Sequence, residues 1–494
     1  MPAMTQRADA PGRRRLRSAV CPAVDRARPA QDVARRSACL TRQARRTYGE
    51  AMKSLVVGNG GREAALGTRM AEASILHAFM GHLNPTLCDL AKQSGGGIHV
   101  GDVCDGKTIA GYATDHSIDL ALVSSDDPLA AGVVDHLLEA GIPTVGPTRA
   151  GAEIEWNKAF GRQVVDQIAP GANPAHAVAR TPSEVALAIS DIGEHGPVVV
   201  KPLGLTGGKG VKVVGPHLAD NGEAAEYALE IIESKRHGGA VSIEERISAP
   251  EFTIQAMTDG RTIVFPPATY DYPYRFEGDR GPGTGGMGSC ALPGGLLPFL
   301  SRQAYDAACG IVREVIAYLA DAKRPFSGCL NAGFFADPGG VRVIEFNARF
   351  GDPEGINIMS LLEGNWTEAL VAMAEGSLSD GMIPMADRAS VVTYLVAPEY
   401  ALGTSAGHRF SIDAERVRSN GADVLLSAAV ERGPGSYETI GTSRAVAIVA
   451  TGDTLAKARS VVAGAITAGV SGDLEWRSDI GIFPGERSPP QTVL

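Results

Sequence analysis

The sequence predicts an α/β protein, and three stretches carry that expectation. Lys53–Val57 is a short apolar run leading straight into Gly58-Asn59-Gly60-Gly61-Arg62-Glu63 and then an Ala- and Leu-rich segment, the order of a strand, a glycine turn and a helix N-terminus. Val198-Val199-Val200 ends in Lys201 and a glycine-rich loop that contains a second lysine, Lys209. Val343-Ile344-Glu345-Phe346-Asn347-Ala348-Arg349 interleaves apolar and polar side chains, as a strand with one buried face does.

Taken in chain order, residues 1–51 hold twelve Arg, no Lys and four acids, with no periodic apolar face long enough to pack, so disorder is expected there. Two readings of this leader stand open: an organelle transit peptide, which is also Arg-rich and acid-poor, or a start placed too far upstream of Met52. Residues 52–150 read as a small doubly wound domain, with further strands at 119–124 and 143–146 around a helix at 129–140. Ligands of such sheets bind beyond the carboxyl ends of the strands. Residues 151–387 form a second α/β region with strands at 198–200, 240–244 and 341–346. Residues 388–485 alternate strands (390–397, 422–430, 445–451) with one helix at 454–468, whose Leu455, Ala458, Val461, Val462 and Ile466 follow helical spacing. Residues 486–494 are a tail.

Composition narrows the function classes. The 494 residues are 44% hydrophobic and 21% charged, enough for several cores. The net charge of -10 combines +8 in residues 1–51 with -18 in the remainder, and an acidic body argues against nucleic acid as a partner. No apolar run reaches the about 18 residues of a membrane span. Seven cysteines, an odd number without a C-x-x-C pair, suggest reduced thiols in the cytoplasm.

The chemistry-bearing residues fall in four places. Lys201-Pro-Leu-Gly-Leu-Thr-Gly-Gly-Lys209 puts two lysines around a loop whose glycines let backbone N–H groups approach phosphate oxygens, and its spacing is not that of a Walker A loop. Glu244 and Glu245 end an apolar strand, with Glu251 after a short turn, where a nucleotide's ribose hydroxyls would need carboxylates. Glu345 and Asn347, two apart on one strand face, offer oxygen ligands to Mg²⁺, and Arg349 further along is suited to an anionic substrate or transferring phosphoryl group. Gly351-Asp352-Pro353-Glu354 then turns the chain with two more carboxylates. A nicotinamide-binding oxidoreductase is disfavoured, because the turn at Gly58 is not G-x-G-x-x-G and His77-Ala-Phe-Met-Gly81 brings no acid to the next strand.

With these elements in order, the sequence resembles the glycinamide ribonucleotide synthetases of the ATP-grasp superfamily. Gly58–Glu63, Gly281-Pro-Gly-Thr-Gly-Gly-Met-Gly288 and Glu345-Phe-Asn-Ala-Arg-Phe-Gly-Asp-Pro-Glu354 carry the resemblance, which extends to Arg477-Ser-Asp-Ile-Gly481. It implies an ATP-grasp fold with an N-terminal doubly wound α/β domain, a lid at about 182–242 and a C-terminal mixed α/β domain. It also implies ligation of glycine to 5-phosphoribosylamine through glycyl phosphate, with ATP and Mg²⁺ or Mn²⁺ as cofactors, by a cytoplasmic monomer.

Carried over residue by residue, Lys158, Lys201 and Lys209 would hold ATP phosphates; Glu244, Glu245 and Glu251 the nucleoside; Glu345 and Asn347 the metal. Gly58, Asn59, Gly60, Gly61, Arg62 and Glu63 would take the sugar phosphate, with Asp126 and Asp271 nearby. Arg349, Asp352 and Lys209 would serve the chemical step. The sequence departs from the usual family pattern at Ala64 (for His), Asp126, Asp271-Tyr272-Pro273-Tyr274 and Gly283. The alternative is a relative recruited to a different amine or amino acid.

Overall fold

The computed structural model describes residues 51–206, 210–235 and 238–484; the expected leader (but for Ala51), the tail and Lys209 lie outside the described residues. Five parallel strands open the chain: β1 (Lys53–Val57), β2 (Ile75–Met80), β3 (Ile98–Val100), β4 (Leu120–Val123) and β5 (Thr144–Val145), in the order β3-β2-β1-β4-β5. The strand order reverses its progression between β1 and β4, so the crevice beyond their carboxyl ends is the binding position of this architecture. The helix expected over 129–140 is two short helices, Asp126–Ala131 and Val133–Glu139. Gly132 at φ +83° breaks it, a left-handed position that glycine enters without the steric penalty of a Cβ.

Next comes a four-stranded antiparallel sheet, β6 (His176–Ala179), β7 (Val198–Pro202), β8 (Lys212–Val213) and β9 (Val241–Glu245), in the order β6-β9-β7-β8. Helices Pro182–Gly193 and Asn221–Ser234 cover it, and Val185, Val198, Val200, Ala228, Val241 and Ile243 give it a small core separate from the main one.

The central sheet gathers β10 (Glu251–Thr258), β11 (Ile263–Val264), β12 (Thr269–Asp271), β15 (Gly288–Ala291), β16 (Gly328–Asp337), β17 (Gly340–Asn347), β18 (Ala389–Leu395), β20 (Asp423–Leu426) and β23 (Val446–Gly452). Its order is β17-β16-β10-β12-β15-β18-β23-β20, with β11 pairing β10. A hairpin, β13 (Tyr274–Phe276) and β14 (Arg280–Gly283), projects between β12 and β15. β15 pairs β18 over four residues, so the boundary expected at residue 387 runs inside one continuous sheet.

The expected strand 422–430 is two strands that part company. β20 pairs β23 in the central sheet, whereas β21 (Ala429–Gly433) joins β19 (Arg409–Ile412), β22 (Ser436–Thr439) and β24 (Val470–Gly472) in a separate sheet. The last helix spans Leu455–Gly469, capped by the Thr454 side chain, and buries Ala458, Val462 and Ile466. No helix among the described residues is long and apolar enough to cross a membrane.

Candidate functional site

β17 supplies the site's edge. Glu345 and Asn347 lie opposite Gly333 and Asn331 of β16, while Ile344 has no partner because a bulge shifts the register there. A bulge re-aims what it carries. Here it frees the Ile344 carbonyl, which accepts from Lys201 Nζ at 3.2 Å and Arg162 Nη2 at 2.8 Å. The strand face predicted for Glu345 and Asn347 is present, and Lys158 Nζ stands 4.0 Å from Glu345 Oε2. Burial works against the Glu345 carboxylate, but Lys158 and then Lys201 hold its carboxyl below the ordinary range.

Glu244 departs from expectation. Rather than facing a nucleoside, its buried carboxylate is gripped by Arg162 at 3.0 and 2.6 Å and by Lys201 at 2.8 Å, with the Ser242 hydroxyl donating at 2.9 Å. Despite burial, Lys201 and Arg162 hold its carboxyl well below the usual range. Burial, and then the Arg162 charge, push the Lys201 ammonium down, and Glu244 is the main group opposing that shift. The triad fixes Lys201 in a cleft shared with Lys158, Glu155 and Glu345. Glu245 accepts from the Ala175 N–H at 3.0 Å, and Glu251 is exposed at the start of β10.

Beyond β17 the chain is held from four sides. Glu155, on helix Arg149–Trp156, accepts from Ala348 N–H at 2.8 Å and pairs with Arg349 at 3.1 Å. Arg349 also donates to Asn347 Oδ1 at 3.1 Å, while Asp126 adds a second negative charge beside it. Arg62 donates to the Phe350 carbonyl at 3.1 Å, Ser124 accepts from Phe350 N–H at 3.2 Å, and Gln255 accepts from Gly351 N–H at 3.0 Å. Phe350, edge-on to Trp366 at 5.7 Å, anchors the segment, each ring contributing about 1.5–3 kcal/mol by burial.

The turn after β1 meets this segment. Gly58 sits at φ +126°, and helix Gly61–Ala71 starts with Glu63 reaching back to Gly60 N–H at 2.8 Å. Arg62, buried, is tied to Glu63 at 2.7 Å and to Ser125 at 3.0 Å, linking the ends of β1 and β4. Asn59 Oδ1 accepts from Gly81 N–H at 3.0 Å. Of the backbone N–H groups expected to take the sugar phosphate, Gly60's is bonded to Glu63, and the side chains of Asn59, Arg62 and Glu63 are bonded within the protein.

Asp352 closes the arrangement. It accepts from Tyr394 Oη at 2.6 Å and pairs with Arg444 at 2.9 Å. Asp271 and Glu354 lie alongside; burial pushes both carboxyls up, with the negative charge of Glu354 adding to it at Asp271 and that of Asp352 at Glu354. The Asp271 Oδ1 is buried without a hydrogen-bond partner. Arg162, Glu155, Tyr394 and Arg444 were not found by sequence reasoning, because their roles come from partners distant in the chain.

Comparison with known proteins is consistent with this arrangement. Residues 52–155 match the family description "Phosphoribosylglycinamide synthetase, N domain", and residues 156–355 match its ATP-grasp (A) domain. Phosphoribosylamine–glycine ligase of Methanopyrus kandleri is 40% identical over 87% of this chain and 96% of its own length. The Methanothermobacter thermautotrophicus ligase is 39% identical over 87% and 96%. Among solved structures, the Thermotoga maritima ligase superposes with a TM-score of 0.72 at 22% identity, covering 87% of this chain and all of its own. The Campylobacter jejuni biotin carboxylase in complex with β-γ-ATP gives 0.65 at 14%, covering 88% and 94%. These structural likenesses show a shared ATP-grasp fold, and the sequence identities place the chain in the phosphoribosylamine–glycine ligase family.

Proposed function

We propose that this chain joins glycine to 5-phosphoribosylamine, consuming ATP and releasing glycinamide ribonucleotide, ADP and phosphate in purine synthesis. The carrying observation is spatial: two lysines and the Glu345–Asn347 face stand at one end of β17, and the chain that leaves β17 runs directly to Arg349, Asp352 and the turn after β1. Activation of a carboxylate and its capture by an amine need those two groups of residues next to each other.

In this reading Lys158 and Lys201, with Lys209, neutralise the phosphates of ATP, and Glu245 and Glu251 serve the nucleoside. Glu244 acts on ATP only through Lys201. Glu345 and Asn347 supply two hard oxygen donors on one face, which suits Mg²⁺ or Mn²⁺; the ion would neutralise charge between the phosphates. Asn347 retains a second lone pair beside its bond from Arg349.

The glycine carboxylate oxygen attacks the γ-phosphorus, the bond to the β-phosphate oxygen breaks, and ADP leaves. Arg349, kept cationic by Glu155, balances the charge on the acyl phosphate. The phosphoribosylamine nitrogen then attacks the carbonyl carbon, the carbon–oxygen bond to phosphate breaks, and the nitrogen gives up a proton. Asp352 orients glycine, while Gly58, Gly61, Asp126 and Asp271 border the amine's place. The enzyme is proposed to act as a monomer in the cytoplasm.

Incubation with ATP, Mg²⁺, glycine and fresh phosphoribosylamine should yield ADP and a product with the mass of glycinamide ribonucleotide. ADP formation equally fast without glycine contradicts the proposal.

A further inference from the structure

The last third of the chain reaches into the site through two side chains. Arg444, just before β23, is 7% exposed, yet its guanidinium bonds all fall on two turns far from it in sequence. It donates to the carbonyls of Gly285, Gly286 (2.9 Å) and Asp352 (2.9 Å), and pairs with the Asp352 carboxylate. Its plane lies 4.3 Å over the Tyr394 ring. Tyr394, on β18, donates its hydroxyl to the other Asp352 oxygen and packs so close to Gly61 that a Cβ there would strike its hydroxyl.

We propose that Tyr394 and Arg444 are positioning residues for the glycine step: together they fix both oxygens of Asp352 and lock its turn to the glycine loop and the turn after β1. The assignment rests on the functional reading above. A carboxylate with both oxygens fixed cannot rotate away, and a planar fork that bonds one carboxylate and three carbonyls is a task lysine's single ammonium does not reproduce. Gly286, at φ +96°, must lack a side chain for the loop to close, since a Cβ would stand 2.6 Å from Asp271 Oδ1 and 2.5 Å from Pro353 Cδ. Arg444 holds this loop through the carbonyls of Gly285 and Gly286.

Steady-state kinetics of the full chain separate this from a purely structural role. Tyr394→Phe removes one oxygen and preserves the ring, so the fold should persist by circular dichroism. Its glycine KM should rise about tenfold, with the ATP KM within about twofold of wild type. Arg444→Lys should raise the glycine KM further, and Arg444→Ala further still. If an active wild type and a folded Tyr394→Phe share the same glycine KM, or if the ATP and glycine KM values rise together, the assignment is overturned while the functional reading stands. A wild type that never uses glycine removes both.

Discussion

Around Lys201 the buried charges are paired with one another, whereas around Asp352 several buried polar atoms among the described residues have no partner. In the first region Arg162, Lys201 and Glu244 complete each other and the bulged Ile344 carbonyl. In the second, Asp271 Oδ1, Gln255 Nε2, Arg349 Nε and Arg444 Nε are left unpaired. An unpaired buried polar group costs about 1–3 kcal/mol, so the second region is where a polar ligand gains most by binding. The contrast teaches that, in the proposed reading, the side for ATP is paired in advance while the side for the amino acid keeps polar atoms available to a ligand.

Breaking the metal face should have the largest effect. Glu345→Ala should lower ADP formation by about 10³-fold or more with an unchanged circular dichroism spectrum. Unaltered turnover at limiting Mg²⁺ would take β17 out of the site.

Breaking the preassembled side should show as stability. Arg162→Ala removes one cation from a buried triad whose side chains are at most 9% exposed, and should cost about 3–5 kcal/mol in urea unfolding. A loss under about 1 kcal/mol would mean the triad relaxes easily.

A control lies away from both sides. His77 accepts from Gly97 N–H at 3.2 Å and contacts Tyr112 Oη at 3.1 Å. Burial, then His116 and Lys53, lower its pKa from 6.5 to about 4. The fold favours neutral His77, so its contribution is complete above pH 6.5 and is lost as the pH falls toward 4. That loss should be about 1–3 kcal/mol, and His77→Gln should flatten the fall of stability in that window. Parallel stability curves for the two proteins would contradict it.

The smallest effect sharpens the other half. A Cβ at Gly60 would stand 2.6 Å from Glu63 Oε2, so Gly60→Leu must displace the helix cap. The phosphoribosylamine KM should rise about tenfold with little change in ATP affinity. An unchanged value would place the amine elsewhere.

Local patterns were the legible part of this molecule. The strand, turn and helix at 53–71 and the polar face of β17 are each written within a short local stretch of chain, and both are present. Gly132 was a visible sign of a broken helix that the apolar spacing on either side concealed. The pairing of Glu244 was not legible, because a strand-end carboxylate in sequence gives no sign that Arg162, 82 residues earlier, will bond to it. Glu155 meets Ala348 across 193 residues and Arg444 meets Asp352 across 92, distances over which side-chain pairing leaves no local trace. Likewise 422–430 reads as one strand, because only the partners β23 and β22 reveal that it divides between sheets.

The departures at Ala64, Asp126 and Pro273 fall where the family resemblance places the phosphoribosyl group and the region next to glycine, so substrate choice is the sharpest question. Specificity constants for a panel of amino acids and amines, each measured with ATP and Mg²⁺ and with product masses, test it most directly. The account predicts that glycine with phosphoribosylamine gives the highest kcat/KM and that ribose 5-phosphate analogues inhibit. A different amino acid or amine outperforming that pair would contradict it and mark the chain as a relative recruited to another substrate.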